Sequence, residues 1–310
     1  MPKNSPRFRK THDFSHLLNP KNPVYAACIL RHTSEALAED LGSGDITTKI
    51  LFLHKKIARA FIVSREAGIV AGLQEIKYFL SRRQLRLNCF VKDGGKIRAG
   101  QKLCELRGDA REILKVERTI LNVIGRMSGV ATFTNKIVAR AKKLNPHILV
   151  CPTRKTLWGL LDKRACALGG GGTHRLGLSD AVLIKDNHLE LMGRHIPQAL
   201  KPFFNAKNRA HFIEIEVENY RDAISAAAAL GYKNGIPCFI MLDNMPPKKA
   251  KQTISKLRKR GLLKHIGIEV SGGIREKNVA AYAATGADII SLGSLTGSAP
   301  MLDVSLEVEK

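Results

Sequence analysis

Aromatic residues are scarce, at 5% of 310 residues with a single Trp. Proteins that hold single-stranded nucleic acid stack bases on aromatic side chains, so this scarcity argues against such a platform. Acidic residues are also few. Against 51 Lys and Arg stand 27 Asp and Glu, for a formal net charge of +24. That excess leaves three anionic partners open: nucleic acid, an acidic membrane surface, or small anionic substrates. The cysteines at positions 28, 89, 104, 151, 166 and 238 form no C-x-x-C pair and no metal spacing. Most sit in apolar runs and read as buried, reduced thiols. No apolar run reaches the length of a membrane span and no signal-peptide pattern opens the chain, so a cytoplasmic location is expected. Zinc-finger and RNA-recognition signatures are lacking as well, and no specific nucleic-acid partner is expected.

What is present fits a globular protein of two domains, with 44% apolar and 25% charged residues. The charge is concentrated in places. Residues 248–264 carry eight Lys or Arg and no acid, and residues 1–23 carry five cations against Asp13. Residues 1–23 lack periodicity and read as a mobile basic tail. From Tyr25 the spacing of Ala26, Ile29, Leu30 and Leu37 suits a helix. The loop at 37–48 holds Glu39, Asp40 and Asp45, read as caps and turn formers rather than metal ligands. Residues 57–107 alternate apolar and polar around paired glycines, as in a small antiparallel sheet or sandwich. From 110 to 144 the period is helical, with a break or kink expected at Ser128 and Gly129. Arg118 stands in the most apolar part of this helix.

After Asn145 the organisation changes. β-branched runs at 148–151, 181–184, 212–217, 238–242, 266–270 and 287–292 alternate mostly with helical stretches, as βα units of a parallel sheet do. Each run ends in residues able to bind a ligand: Arg154 with Lys155, Lys185, Glu216, Asp243, Ser271 with Gly272 and Gly273, and Gly293 with Ser294. In an α/β barrel the strand C-termini converge on one mouth, where the active site lies. Residues 153–188 form the central stretch, with Arg154, Lys155, His174, Arg175, Lys185 and His188 around the glycines at 169–172. Arg matches a carboxylate or phosphate with a planar fork, Lys supplies a mobile charge, and the glycines admit close backbone approach. The Gly- and hydroxyl-rich loops at 271–273 and 293–298 suit a phosphate, as the last loops of a barrel do. Glu216 and Asp243 suit acid–base work or a divalent ion such as Mg²⁺.

Taken in order, the motifs L-A-E-D-L-G-S-G-D-I-T-T, E-R-T-I-L-N-V-I-G-R-M-S-G, T-R-K-T, G-G-G-G-T-H-R-L-G-L-S-D, L-I-K-D-N-H, I-E-I-E-V-E, M-L-D-N and S-G-G-I resemble the quinolinate phosphoribosyltransferase family, also called carboxylating nicotinate-nucleotide pyrophosphorylases. The resemblance covers about residues 36–306. It implies an α/β protein: an N-terminal α/β sandwich (24–130, joined by 297–310) and an open, seven-stranded α/β barrel (131–296). Six strands are legible, which places the seventh within 191–210. The resemblance further implies phosphoribosyl transfer from 5-phosphoribosyl-1-pyrophosphate to quinolinate, with decarboxylation to nicotinate mononucleotide in NAD biosynthesis. Lys155, Lys185, Glu216 and Asp243 would be catalytic. Arg154, Lys155, His174, Arg175 and Lys185 would line the quinolinate pocket, joined by Arg118 from a partner subunit, and His188 would bind substrate. Ser271, Gly272, Gly273, Gly293 and Ser294 would hold the 5′-phosphate, and Glu216 and Asp243 would face Mg²⁺, directly or through phosphates. A homodimer or dimer-based hexamer with a shared site is implied. Trp158 stands where the family commonly has Pro, Leu161 where it has Arg, and Gly297 where it often has His; residues 233–238 read as an insertion in a βα loop. Two other readings stay open, a related molybdenum-associated protein and a basic nucleic-acid-binding protein on this fold.

Overall fold

The computed structural model describes residue 8 and residues 11–205, 210–231 and 235–309. In chain order the strands are β1 (Ile57–Ser64), β2 (Gly68–Ile69), β3 (Leu85–Cys89), β4 (Lys96–Ile97), β5 (Lys102–Asp109), β6 (Leu149–Pro152), β7 (Val182–Ile184), β8 (Ile213–Val217), β9 (Cys238–Asp243), β10 (Ile266–Ser271), β11 (Ile289–Leu292) and β12 (Val304–Val308). The chain divides into two compact units. One comprises Ser15–Asn135, Thr156–Gly170 and the residues from Leu295 on; the other comprises the described residues up to Phe14, Lys136–Lys155 and Gly171–Ser294.

The first unit is built on an antiparallel sheet in the order β12-β1-β5-β3. Its helices form where capping and periodicity agree. Asn22 accepts a hydrogen bond from the Val24 N–H and Pro23 sits in the first turn of Pro23–Leu41, both good starts for a helix. Leu73, Ile76, Phe79 and Leu80 bury one face of Leu73–Leu80, which packs on β3 and on Pro23–Leu41. Asp45 caps the short helix Ile46–Leu51 through the Thr48 N–H. The expected interruption at Ser128 and Gly129 does not occur: Ala110–Leu144 is one helix of 35 residues. Ser128 is buried and its hydroxyl bridges the Ala71 N–H and carbonyl, so it serves packing rather than a kink.

Residues 156–170, which follow directly on the T-R-K motif, group with this first unit. Three contacts hold them there. Asp162 pairs with Arg126, the Thr134 hydroxyl bonds the Cys166 sulfur, and the Asn135 amide donates to the Gly169 carbonyl.

The second unit carries a parallel sheet in the order β6-β11-β10-β9-β8-β7. The first strand lies beside the last, which is the cyclic order of an α/β barrel opened between β6 and β7. Every residue of β6, β10 and β11 is buried, the continuous apolar pattern of parallel strands covered on both faces. The sheet has six strands among the described residues. The seventh, expected within 191–210, is replaced there by the helix Ile196–Asn205, where Ile196, Ala199 and Leu200 recur at i, i+3 and i+4 and are all buried.

The N-terminal segment corrects the expectation of a mobile tail at 1–23. His12, Phe14 and Leu18 are buried, and a 3₁₀ turn, Ser15–Leu17, comes between Phe14 and Leu18 in the chain. In the second unit the His12 carbonyl accepts from the Thr173 and His174 N–H groups at 3.0 Å each. The Phe14 N–H donates to the Thr173 hydroxyl at 2.9 Å. Phe14 joins Leu149, Phe212, Phe239 and Ile289 in the core, with Phe8 packed against them. Burying one such ring is worth about 1.5–3 kcal/mol. These partners lie far away in sequence, so local periodicity carries no trace of them. Residues 1–7, 9 and 10 of that tail, and residues 233 and 234 of the expected insertion, lie outside the described residues.

Candidate active site

A cavity of about 500 Å³ opens at the C-terminal ends of the parallel strands. β6 runs into Thr153, Arg154 and Lys155, and the stretch before β7 delivers His174 and Arg175. Lys185 follows β7, Glu216 lies on β8, Asp243 ends β9, and Gly293 follows β11; all line the cavity. Of the sequence-derived candidates, Arg154, Lys155, His174, Arg175, Lys185, Glu216, Asp243, Ser271, Gly272, Gly273 and Gly293 are brought together here.

Three candidates are not. His188 lines a neighbouring cavity of about 460 Å³, which shares Arg154, Arg175 and Lys185 with the first. Its Nδ1 accepts the Lys185 N–H at 2.9 Å and so caps the helix Asp186–Leu191. Ser294 is absent from the lining; it begins the short helix Ser294–Gly297, and its hydroxyl is buried without a hydrogen-bond partner among the described residues. Arg118 lies exposed on Ala110–Leu144, in the first unit. The glycines at 169–172 do not line the cavity either. At Gly172 a Cβ would come within 2.8 Å of the Cys151 sulfur and of the His12 carbonyl, so that glycine admits protein rather than ligand.

The departures from the family pattern also find places. The Trp158 ring stacks on His32 with centroids 6.0 Å apart, Leu161 is buried, and Gly297 ends the helix that Ser294 begins.

The charge distribution explains what the cavity can hold. Burial lowers the pKa of the Arg175 guanidinium, and the neighbouring Arg154 lowers it further, the strain expected where like charges await an anion. Lys185 Nζ stands 3.5 Å from a Glu216 oxygen. Burial raises the Glu216 pKa, Lys185 opposes that, and Asp243 adds to it. Asp243 is raised for the same first reason, then by Glu218, with Lys185 and Lys155 opposing. Two carboxylates in a half-dry site beside cations are poised for oxygen-rich, charged ligands.

On the opposite wall the backbone does the work. Gly272 and Gly273 adopt φ of 84° and 64°, and at Gly272 a Cβ would sit 2.2 Å from the Asn244 side-chain oxygen. Only glycine fits, and two successive left-handed residues form a concave run suited to phosphate oxygens. Asn244 is itself left-handed, at φ 53°, and its N–H donates to the Ser271 carbonyl at 3.0 Å.

Beneath the cations lies a group that the strand-end reading missed. Glu269, in the middle of β10, is fully buried and accepts from the Ser291 hydroxyl at 2.5 Å. His174 Nε2 is 3.1 Å from Glu269 and 3.4 Å from Glu214, also fully buried. Burial pulls the His174 pKa down, and these two carboxylates, where ionised, pull it up. The ring's Nδ1, however, accepts the Arg175 N–H at 2.8 Å, and a second ring proton would break that bond. The geometry therefore favours a neutral ring with the proton on Nε2, donating to Glu269. The sequence signal was available: an acid in the middle of an otherwise apolar strand, I-G-I-E-V-S.

Comparison with known proteins follows the same lines. Residues 45–128 match the quinolinate phosphoribosyl transferase N-terminal domain, and residues 130–307 match the C-terminal domain of the same family. A Methanothermobacter thermautotrophicus protein named "Probable nicotinate-nucleotide pyrophosphorylase (carboxylating)" is 39% identical over 276 residues, covering 88% of this chain and 96% of its own. A Mycobacterium leprae nicotinate-nucleotide pyrophosphorylase (carboxylating) is 35% identical over 280 residues, covering 88% and 94%. The solved structure of the nicotinate-nucleotide pyrophosphorylase from Francisella tularensis superimposes with a TM-score of 0.79 at 33% identity, covering 91% of this chain and 96% of that one.

Proposed function

The chain belongs to the quinolinate phosphoribosyltransferase family, and from that premise we infer that it joins quinolinate to 5-phosphoribosyl-1-pyrophosphate, releasing CO₂ and pyrophosphate. The product is nicotinate mononucleotide, and the reaction belongs to NAD biosynthesis. One observation carries the reading: Arg154, Lys155, Arg175 and Lys185 line the same cavity as the glycine cradle at 272–273. A dicarboxylate and a polyphosphate are held by that pairing of charge and backbone.

In the proposed chemistry the pyridine nitrogen forms a bond to the anomeric carbon as the bond to pyrophosphate oxygen breaks. The ring then carries a positive nitrogen. The bond to the 2-carboxylate breaks next, CO₂ leaves, and the electron pair stays on the ring carbon beside that nitrogen until a proton is taken up. Arg154 and Arg175 hold the carboxylates in this scheme, while Lys155 and Lys185 offset the charge that shifts during transfer. Ser271, Gly272, Gly273 and Gly293 receive the 5′-phosphate. Glu216 and Asp243 are hard oxygen donors on the cavity wall, a set that fits Mg²⁺. Bound there with the substrate, the ion would neutralise the departing pyrophosphate.

A homodimer, or a hexamer built from dimers, belongs to the same proposal, with Arg118 reaching the pocket of the partner subunit. Its exposure on Ala110–Leu144 supports that role. The expected location is the cytoplasm, and no helix among the described residues is long and apolar enough to cross a membrane.

The test is release of label from quinolinate carrying ¹⁴C in its 2-carboxylate, with 5-phosphoribosyl-1-pyrophosphate and Mg²⁺. Stoichiometric ¹⁴CO₂ and nicotinate mononucleotide are expected; no release at saturating substrates would refute the reading. Mixing inactive Arg118→Ala with inactive Lys155→Ala should restore activity after subunit exchange, and failure to do so in mixed dimers would refute the shared site.

A further inference from the structure

His12, His174, Glu214 and Glu269 each bring one potential ligand atom into a buried group in which all four atoms lie within 4.8 Å of one another. None of the four is exposed beyond the 5% of His174. The arrangement around His12 is specific. The Thr11 hydroxyl donates to the Phe8 carbonyl at 2.7 Å, so its oxygen accepts from His12 Nδ1–H at 2.9 Å. That leaves a lone pair on His12 Nε2, which has no hydrogen-bond partner among the described residues. The ring is held in this orientation by stacking on Phe212 at 3.9 Å and by the edge contact with Phe239 at 4.4 Å.

Opposite this lone pair stands Glu214, whose two oxygens are buried and likewise without a hydrogen-bond partner among the described residues. Glu269 is oriented from both sides, by the Ser291 hydroxyl on one oxygen and by His174 Nε2–H on the other. The group therefore presents an imidazole lone pair and two carboxylates, acceptors facing acceptors. Two carboxylates buried within 4.8 Å of each other and of a bare imidazole nitrogen are costly, and an acceptor set of this kind is what a divalent ion neutralises.

We propose that His12, Glu214 and Glu269 form a binding site for a divalent transition-metal ion at the cavity floor, where Glu269 and His174 also line the cavity, with His174 orienting Glu269 as a hydrogen-bond donor. One imidazole and two carboxylates match the ligand preferences of zinc and its neighbours in the first transition row, whereas an imidazole ligand disfavours Mg²⁺ and Ca²⁺. The ion and the two carboxylates together are neutral. Such a site pins the N-terminal segment to the barrel and uses neither Glu216 nor Asp243. It stands whether or not the proposed reaction is correct.

The probe is Zn²⁺ alone, added to the chelator-treated full-length chain. Wild type is expected to bind one tightly held zinc per chain, whereas His12→Ala and the nearly isosteric Glu214→Gln hold none. His147→Ala, an exposed histidine, keeps the site. Thr11→Ala, which frees the His12 ring, weakens zinc binding by roughly 10–100-fold. X-ray absorption on zinc-loaded wild type needs no variant to fold: nitrogen and oxygen neighbours only, with imidazole scattering, are expected. Sulfur in the coordination shell, or zinc binding equal in wild type and both ligand variants, overturns the proposal.

Discussion

Asp162 in the first unit and Glu214 in the second are both fully buried carboxylates, and their surroundings are opposite. Asp162 receives two bonds of 3.0 Å from the Arg126 guanidinium, and its second oxygen also accepts the Leu157 and Trp158 N–H groups. Arg126 is tied further to the Thr296 carbonyl. Every lone pair that matters is used, and the result is mechanical: the chain leaving the T-R-K motif is held down at its turn into the helix Leu160–Leu168. Glu214 has His174 Nε2 at 3.4 Å, and neither of its oxygens has a hydrogen-bond partner among the described residues. Burial and the nearby Glu269 push its pKa upward. A satisfied buried charge fixes a backbone; an unsatisfied one stores a demand that a ligand can meet.

The sharpest way to break this contrast is to remove one member of the satisfied pair. Asp162→Ala leaves Arg126 charged and buried, and should cost about 3–5 kcal/mol in urea unfolding. A loss below about 1 kcal/mol would mean that the pair is no better supported than Glu214. In the cavity the expected order reverses, with binding affected and stability spared. Arg175→Ala and Lys185→Ala should each weaken quinolinate binding by about 1.5–3 kcal/mol while the unfolding midpoint stays close to wild type; calorimetry and thermal melts on the same samples separate the two effects.

Glu75 offers an intermediate case in the first unit. It is fully buried, accepts from the Tyr25 hydroxyl at 2.7 Å, and leaves its other oxygen without a hydrogen-bond partner among the described residues. Burial, then Asp93, raise its pKa to about 7, so the folded chain keeps a proton that the unfolded chain releases above about 4.3. Between those values the folded state binds more protons, and stability falls as pH rises, by at most about 1.4 kcal/mol per pH unit. Glu75→Gln should flatten that slope in unfolding curves between pH 4.5 and 7; an unchanged slope would show that Glu75 is ionised in both states. Taken per pH unit, the effect is the smallest of the three.

These same residues show which parts of the structure could be read in advance. The strands of the parallel sheet announce themselves because each is a short apolar run, and the ligand-binding residues are legible because they stand at the ends of those runs. Glu214 and Glu269 sit inside the runs, where an acid reads as an exception rather than a site. His12 was hidden more deeply. Its neighbours are cationic and unpatterned, and what buries it is the aromatic cluster of Phe212 and Phe239, about two hundred residues away. The seventh strand was expected from the resemblance, but the spacing of Ile196, Ala199 and Leu200 is helical, and local periodicity prevailed. Residues 156–170 follow the barrel's first strand in sequence, yet the Arg126–Asp162 pair assigns them to the other unit. Such long-range pairing leaves no signature in a linear reading.

The order of strands also has a consequence for how the chain folds. β6 pairs with β11, Leu149 opposite Ile289, and β1 pairs with β12, Ala60 opposite Val308. Each unit thus completes its sheet with one of the two last strands among the described residues. A nascent chain that has passed β10 still exposes unpaired edges on both β6 and β1, and such edges are templates for pairing with other chains. High sequence separation at both closures predicts slow folding, with the two units acquiring their final pairings at nearly the same moment of synthesis. A protein loses both closures together when its chain stops short of β11, so partial products of translation would be hazards for aggregation rather than half-active enzymes.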